Sequence, residues 1–152
     1  VFERAGMAEV RTYINSGNVV FSTDSPKTTQ LARTLESAIE DAFGFSVRVL
    51  VRDALGMKTM LDALPPTWSN DESAKCDVIL LGEEVDSPKI LEQFTIKPEI
   101  DDVRYVPGAV FWRVDRANIT RSGLLKLVGT ELYAQTTVRN CNTVRKLAGM
   151  VQ

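Results

Sequence analysis

Apolar residues at Leu31, Leu35, Ala38, Ile39 and Ala42 recur at the spacing of one helical face. Ser25-Pro26 supplies a helix start and Gly44 a stop. From Phe45 the period changes to two. Phe45, Val47, Val49 and Val51 alternate with Ser46, Arg48, Leu50 and Arg52, which predicts a strand with one apolar face. Asp53 then caps a shorter helix reaching about Leu64. Paired strands are predicted at residues 10–16 and 18–23, and a buried-type strand at 76–81. A short helix follows Ser87-Pro88, and residues 103–106 and 109–114 form a second hairpin around Pro107-Gly108. Asn118 or Thr120 caps a helix carrying Leu124, Leu125, Leu127 and Val128, closed by Gly129. A short strand at 136–139 leads to Asn140, which caps a final helix from Asn142 to about Met150. Phe2 to Ala5 read as the last turn of a helix stopped by Gly6.

The order is α-β-β-α-β-(α) followed by β-α-β-β-α-β-α. It predicts an α+β protein of two ferredoxin-like βαββαβ-type halves, the first lacking its first strand, plus a C-terminal helix. Residues 1–66 form the first half and 74–152 the second. Residues 65–73, rich in Pro, Ser and Asp, are the linker. A first half without its first strand leaves a sheet edge open, which makes assembly through that edge one functional class to consider. The two hairpins echo one another: Gly17-Asn18-Val19-Val20-Phe21 resembles Gly108-Ala109-Val110-Phe111-Trp112.

Composition narrows the chemistry. The 152 residues hold no histidine. That removes Ser-His-Asp and Cys-His catalysis and the commonest zinc ligand. Cys76 and Cys141 make neither a disulfide framework nor a zinc motif, and read as reduced core thiols of a cytoplasmic protein. No apolar run approaches the roughly 20 residues that span a bilayer. Phosphate-loop and dinucleotide signatures are absent, so no cofactor is expected. Charge is uneven: residues 104–152 carry eight Lys/Arg and two Asp/Glu, whereas residues 1–103 carry ten and eighteen. A basic run of this kind suits an anionic partner or an acidic neighbour within the same chain.

Two segments carry a family resemblance: Tyr13-Ile14-Asn15-Ser16-Gly17-Asn18-Val19-Val20-Phe21 and Thr137-Val138-Arg139-Asn140-Cys141-Asn142-Thr143-Val144-Arg145-Lys146-Leu147. With both in view, the chain resembles the uncharacterised bacterial proteins of domain-of-unknown-function family 1697 along essentially its whole length. The resemblance implies two ferredoxin-like halves and carries no established activity. Members usually open with a strand and an Arg-Gly-Ile-Asn-Val-Gly-Gly loop that this sequence lacks. They tend to have Trp where Cys141 stands.

Two corners are candidate binding sites. Asn15, Ser16 and Asn18 crowd the first hairpin bend with more polar chemistry than a turn requires. Arg139 and Asn140 lie where a strand meets a helix start, whose unpaired N–H groups favour an anion, with Asn142 and Lys146 on that helix. The leading expectation is a module that binds a nucleotide, a phosphorylated metabolite or a nucleic-acid backbone. A histidine-free enzyme is the alternative, with Ser122 and Lys126 four residues apart on one helical face as a nucleophile pair. Strand aromatics Tyr13, Phe21, Tyr105, Phe111 and Trp112 could stack RNA bases, but neither hairpin fits the RNP1 pattern.

Overall fold

The computed structural model describes residues 1–13, 17–25 and 27–151. Asn15 and Ser16, two of the candidate binding residues, lie outside them, as does Pro26 of the predicted helix start.

The first strands, β1 (Ala8–Tyr13) and β2 (Asn18–Ser22), pair antiparallel as a two-stranded sheet. Helix α1 (Thr28–Phe43) packs on it and is closed by Gly44. Leu31 and Leu35, the apolar stripe of α1, meet Met7, Val10 and Phe21 in a small core. The predicted strand at residues 45–52 is irregular chain that enters no ladder among the described residues. Its apolar side works in part: Val49 and Val51 pack into the same core, whereas Phe45 is exposed. Its polar backbone is served by other means: Val49 N–H donates to Glu36 Oε1 at 2.8 Å. A pattern sets which face a strand buries; pairing needs a neighbour, and none of the described residues supplies one.

Helix α2 (Ala54–Asp62) starts where expected, with Asp53 Oδ1 accepting from Gly56 N–H at 2.7 Å. Then come β3 (Ala74–Leu81), β4 (Asp101–Val106), β5 (Ala109–Asp115), the short helix α3 (Glu131–Ala134), β6 (Thr136–Asn140) and the last helix, α4 (Cys141–Met150). Strands β3 to β6 form an antiparallel sheet in the order β4-β5-β3-β6, the strand order of a ferredoxin-like plan. The β4–β5 turn closes through Gly108, whose φ of 91° a side chain would resist.

Both faces of the large sheet are covered, which explains why β3 reads as a continuous apolar run. On one face Cys76, Val78 and Phe111 meet Met57, Met60 and Leu64, together with Cys141 and Val144 of α4. On the other, Ile79, Leu81, Val110 and Trp112 meet Ile90, Leu127 and Leu132. The α-helices predicted for this second face are largely replaced by 3-10 turns. Pro88–Gln93, Arg116–Arg121 and Gly123–Lys126 are 3-10 helices, and α3 alone is α-helical there. The run Leu124, Leu125, Leu127 and Val128 therefore does not share one helical face. Leu127 is buried while Leu125 and Val128 are exposed.

Residues 65–73 are held tightly against the basic end of the chain. Arg145 donates to the carbonyls of Trp68 and Pro65, Arg116 to that of Asp71, and the Arg104 guanidinium lies 4.6 Å from the Trp68 ring centre. Part of the C-terminal positive charge is thus engaged by backbone carbonyls within the chain.

Candidate functional site

The candidate corner at the end of β6 is assembled by the fold, but largely as structure. Arg139 Nε donates to Asn18 Oδ1 at 2.7 Å, joining the first hairpin to the second sheet across 121 residues of sequence. Asn18 is buried and its Nδ2 donates to the Tyr13 carbonyl. Arg139 also donates to the Val138 carbonyl, and burial lowers its pKa from the ordinary arginine value. Asn140 caps α4: its Oδ1 accepts from Thr143 N–H at 2.9 Å, using a group that an anion would need. Asn142 exchanges two hydrogen bonds with the backbone of Asn70. Lys146 is exposed and makes no hydrogen bond or ion pair with the described residues. Asn18, Arg139 and Asn140 come together, then, while Asn142 faces the linker and Lys146 faces solvent. Asn140→Ala is expected to lower stability by about 1 kcal/mol, the usual worth of such a cap, as read by urea denaturation.

The Ser122–Lys126 pair does not form. Ser122 is the cap of a 3-10 turn and is buried; its Oγ donates to Asp101 Oδ1 at 2.6 Å and accepts from Leu124 N–H. Lys126 is exposed. The tighter winding of the 3-10 helix breaks the i,i+4 register on which the pair depended. The strand aromatics divide similarly: Phe111 and Trp112 are core, so they present no face to a base.

A different concavity is available, built from segments far apart in sequence. A groove of about 580 Å³ runs between α1, residues 48–53, the end of β3 and the Pro107-Gly108 turn. Arg52 forms part of its floor, donating to the carbonyls of Leu81 at 2.6 Å and Gly108 at 3.2 Å. Burial lowers the Arg52 pKa, and Asp86 opposes that shift. Most of the groove's carboxylates are engaged. Glu36 accepts from Val49 N–H, Asp53 from Gly56 N–H, and Asp86 from Gly108 N–H and the Tyr105 hydroxyl. Burial, and then the Asp86 contact, raise the Tyr105 pKa to about 12. Glu84 pairs with Arg48.

The α1 end of the groove has a different character. Lys27 precedes the first turn and provides no side-chain cap, and the first turn holds no acidic residue. The N–H groups of that turn have no acceptor within the helix. A second, open depression adjoins here, lined by Lys27, Thr28, Thr29, Gln30 and Arg33, so that Thr28, Thr29 and Arg33 line both. The sequence does contain a signal for this end: Lys27-Thr28-Thr29-Gln30 opens a long helix with no carboxylate to balance its positive pole.

Fold and groove together define a small α+β protein, with one ferredoxin-ordered sheet beside a smaller hairpin-and-helix unit and a polar groove along α1. The chain belongs to the family described as protein of unknown function (DUF1697), whose sequence model matches residues 1–112. The motif at 137–147 falls beyond that matched span. Among solved structures the chain is similar to the conserved bacterial protein SP0830 from Streptococcus pneumoniae, with a TM-score of 0.79 and 23% identity. That likeness, one of fold, covers 99% of this chain and 84% of the other. No curated protein matches the chain. No helix among the described residues is long and apolar enough to cross a membrane.

Proposed function

We propose that this chain is a cytoplasmic binding module for a small phosphorylated ligand, a phosphosugar or a nucleotide, seated in the groove along α1. The observation that carries this reading is the uncapped α1 start opening into a groove whose lining includes Thr28, Thr29 and Arg33. First-turn N–H groups and the two threonine hydroxyls would donate to phosphate oxygens, and Arg33 with Lys27 would supply charge. Farther along, Glu83, Glu84 and Asp86 line the groove and favour hydroxyl donors over more phosphate. A polyanion such as a nucleic-acid backbone would meet those carboxylates along its length. Small phosphorylated molecules are therefore preferred over nucleic acid.

The test is a thermal-shift screen with nucleotides and sugar phosphates, followed by calorimetry on the best compound. Arg33→Ala is expected to weaken binding about tenfold, the worth of one charge-assisted contact. Failure of every phosphorylated compound to stabilise the protein, or unchanged affinity in Arg33→Ala, would overturn the reading.

A further inference from the structure

The two cysteines, far apart in sequence, meet at the end of one strand pair. The β3–β6 ladder ends with Asp77 opposite Asn140. Cys76 and Cys141, the first residue of α4, are the next residues beyond that pair on either side, and both pack in the same buried cluster. The adjoining ladder pair, Asp77 and Asn140, has the Cα spacing of about 4.5–5.5 Å usual for opposed residues, and a disulfide spans about 4.4–6.8 Å. Both thiols lie in one buried cluster, close enough for each to shift the ionisation of the other. Both side chains are fully buried, and both are free thiols.

The surroundings distinguish the two. Cys141 sits at the start of α4, and Arg145 Nη1 lies 3.7 Å from its sulfur. The contact from Cys76, then the charge of Arg145, favour the thiolate of Cys141, so its pKa falls; that same contact and burial raise the pKa of Cys76. The Arg145 guanidinium and the α4 start lie at Cys141 and not at Cys76, which makes Cys141 the candidate nucleophile and Cys76 its resolving partner. The cover over Cys141 is local. Its Sγ lies 3.6 Å from the Trp68 carbonyl, and Asn142 holds Asn70 by two hydrogen bonds.

We propose that Cys76 and Cys141 form a redox-active dithiol that hydrogen peroxide converts to an intramolecular disulfide. The Cys141 thiolate attacks one peroxide oxygen, the O–O bond breaks, and hydroxide leaves as the sulfenic acid forms. That hydroxide takes up the proton Cys141 released on ionising and becomes the first water. The Cys76 sulfur then attacks the Cys141 sulfur, the S–O bond breaks, and the departing hydroxyl takes the Cys76 proton and leaves as the second water. Two thiols are oxidised to one disulfide and one peroxide is reduced to two waters. Residues 65–71 must lift for peroxide to enter, so the hydrogen bonds that hold them, those of Asn142 with those of Arg145 and Arg116, restrict access.

The native protein is treated with hydrogen peroxide, quenched and denatured, and its thiols are counted before peptide mapping. Both thiols are expected to disappear, with one Cys76–Cys141 linkage, a mass lower by two hydrogens, and recovery on treatment with dithiothreitol. Asn142→Ala is expected to oxidise several-fold faster. In Cys76→Ala, a sulfenic acid on Cys141 is expected to be trapped by dimedone. Persistence of both thiols, over-oxidation of Cys141 with Cys76 still reduced, or linkage only between molecules would overturn the proposal. Thiol counting and mapping on the unmodified protein decide it even where a variant does not fold.

Discussion

Gly123→Ala is expected to cost more than about 4 kcal/mol, the range reached only by severe steric or burial defects. An alanine Cβ at this position would overlap the Thr95 carbonyl oxygen and lie 2.6 Å from its carbon, both backbone atoms. No rotamer change relieves a contact of that kind, so the chain itself must move. The movement would also pull Gly123 N–H from Asp101 Oδ2, which it meets at 2.9 Å. Urea denaturation gives the comparison, with Gly149→Ala as control. Nothing lies within 4 Å of a Cβ there, and the change removes a glycine from α4. A small gain of about 0.5 kcal/mol is expected at that position. Equal effects at the two glycines would contradict the close approach at Gly123.

Asp101→Asn is the second large effect, expected to cost about 1–3 kcal/mol from at least one unsatisfied buried donor. The buried carboxylate accepts four hydrogen bonds: Ser122 Oγ and Trp112 Nε1 reach Oδ1, and Lys97 N–H and Gly123 N–H reach Oδ2. An amide can accept at one end only. Turned one way its NH2 faces the N–H groups of Lys97 and Gly123; turned the other it faces Trp112 Nε1–H, while the Ser122 hydroxyl can rotate to accept from it. Burial alone would raise the Asp101 pKa, but the hydrogen bonds from Ser122, the Lys97 and Gly123 backbone and Trp112 outweigh it and hold the pKa below its ordinary value. A depressed folded-state pKa gives stability that is fully present above the unfolded value of about 3.9 and is lost as pH falls through the folded value. The unmodified protein should therefore lose stability below about pH 4 more steeply than Asp101→Asn. Parallel acid limbs in the two proteins would show that Asp101 is not the titrating group.

Features set by neighbours in sequence are legible in advance. The caps at Asp53 and Asn140, the Gly44 stop and the Pro107-Gly108 turn need only residues within one turn of themselves, and each stands where the pattern puts it. Features set by distant partners are not. The alternation at residues 45–52 foretells the packing of Val49 and Val51 but not the exposure of Phe45, and it cannot supply a strand to pair with. The leucines near Leu124 suggest an α-helix because a dense apolar run mimics a helical period. Ser122 and Gly123 are instead pinned to Asp101, well before them in the chain, and the backbone winds as a 3-10 turn. Arg139 and Asn18 both have the chemistry of ligand contacts, and the structure joins them to each other. Apart from the carboxylate-free start of α1, nothing local marks the groove, because α1, residues 48–53, the end of β3 and the Pro107-Gly108 turn share no motif.

The two tryptophans lie on opposite faces of the four-stranded sheet. Trp112 donates its indole proton to Asp101 and meets Phe94 edge-on, whereas the backbone of Trp68 contacts the Cys141 sulfur. The molecule consequently carries two native fluorophores with separate assignments. Emission from Trp112 should follow the integrity of the Asp101 cluster, and emission from Trp68 the seating of residues 65–73, since its ring packs under Arg104. Single-tryptophan versions with phenylalanine at the other site would read each face optically, without an attached dye.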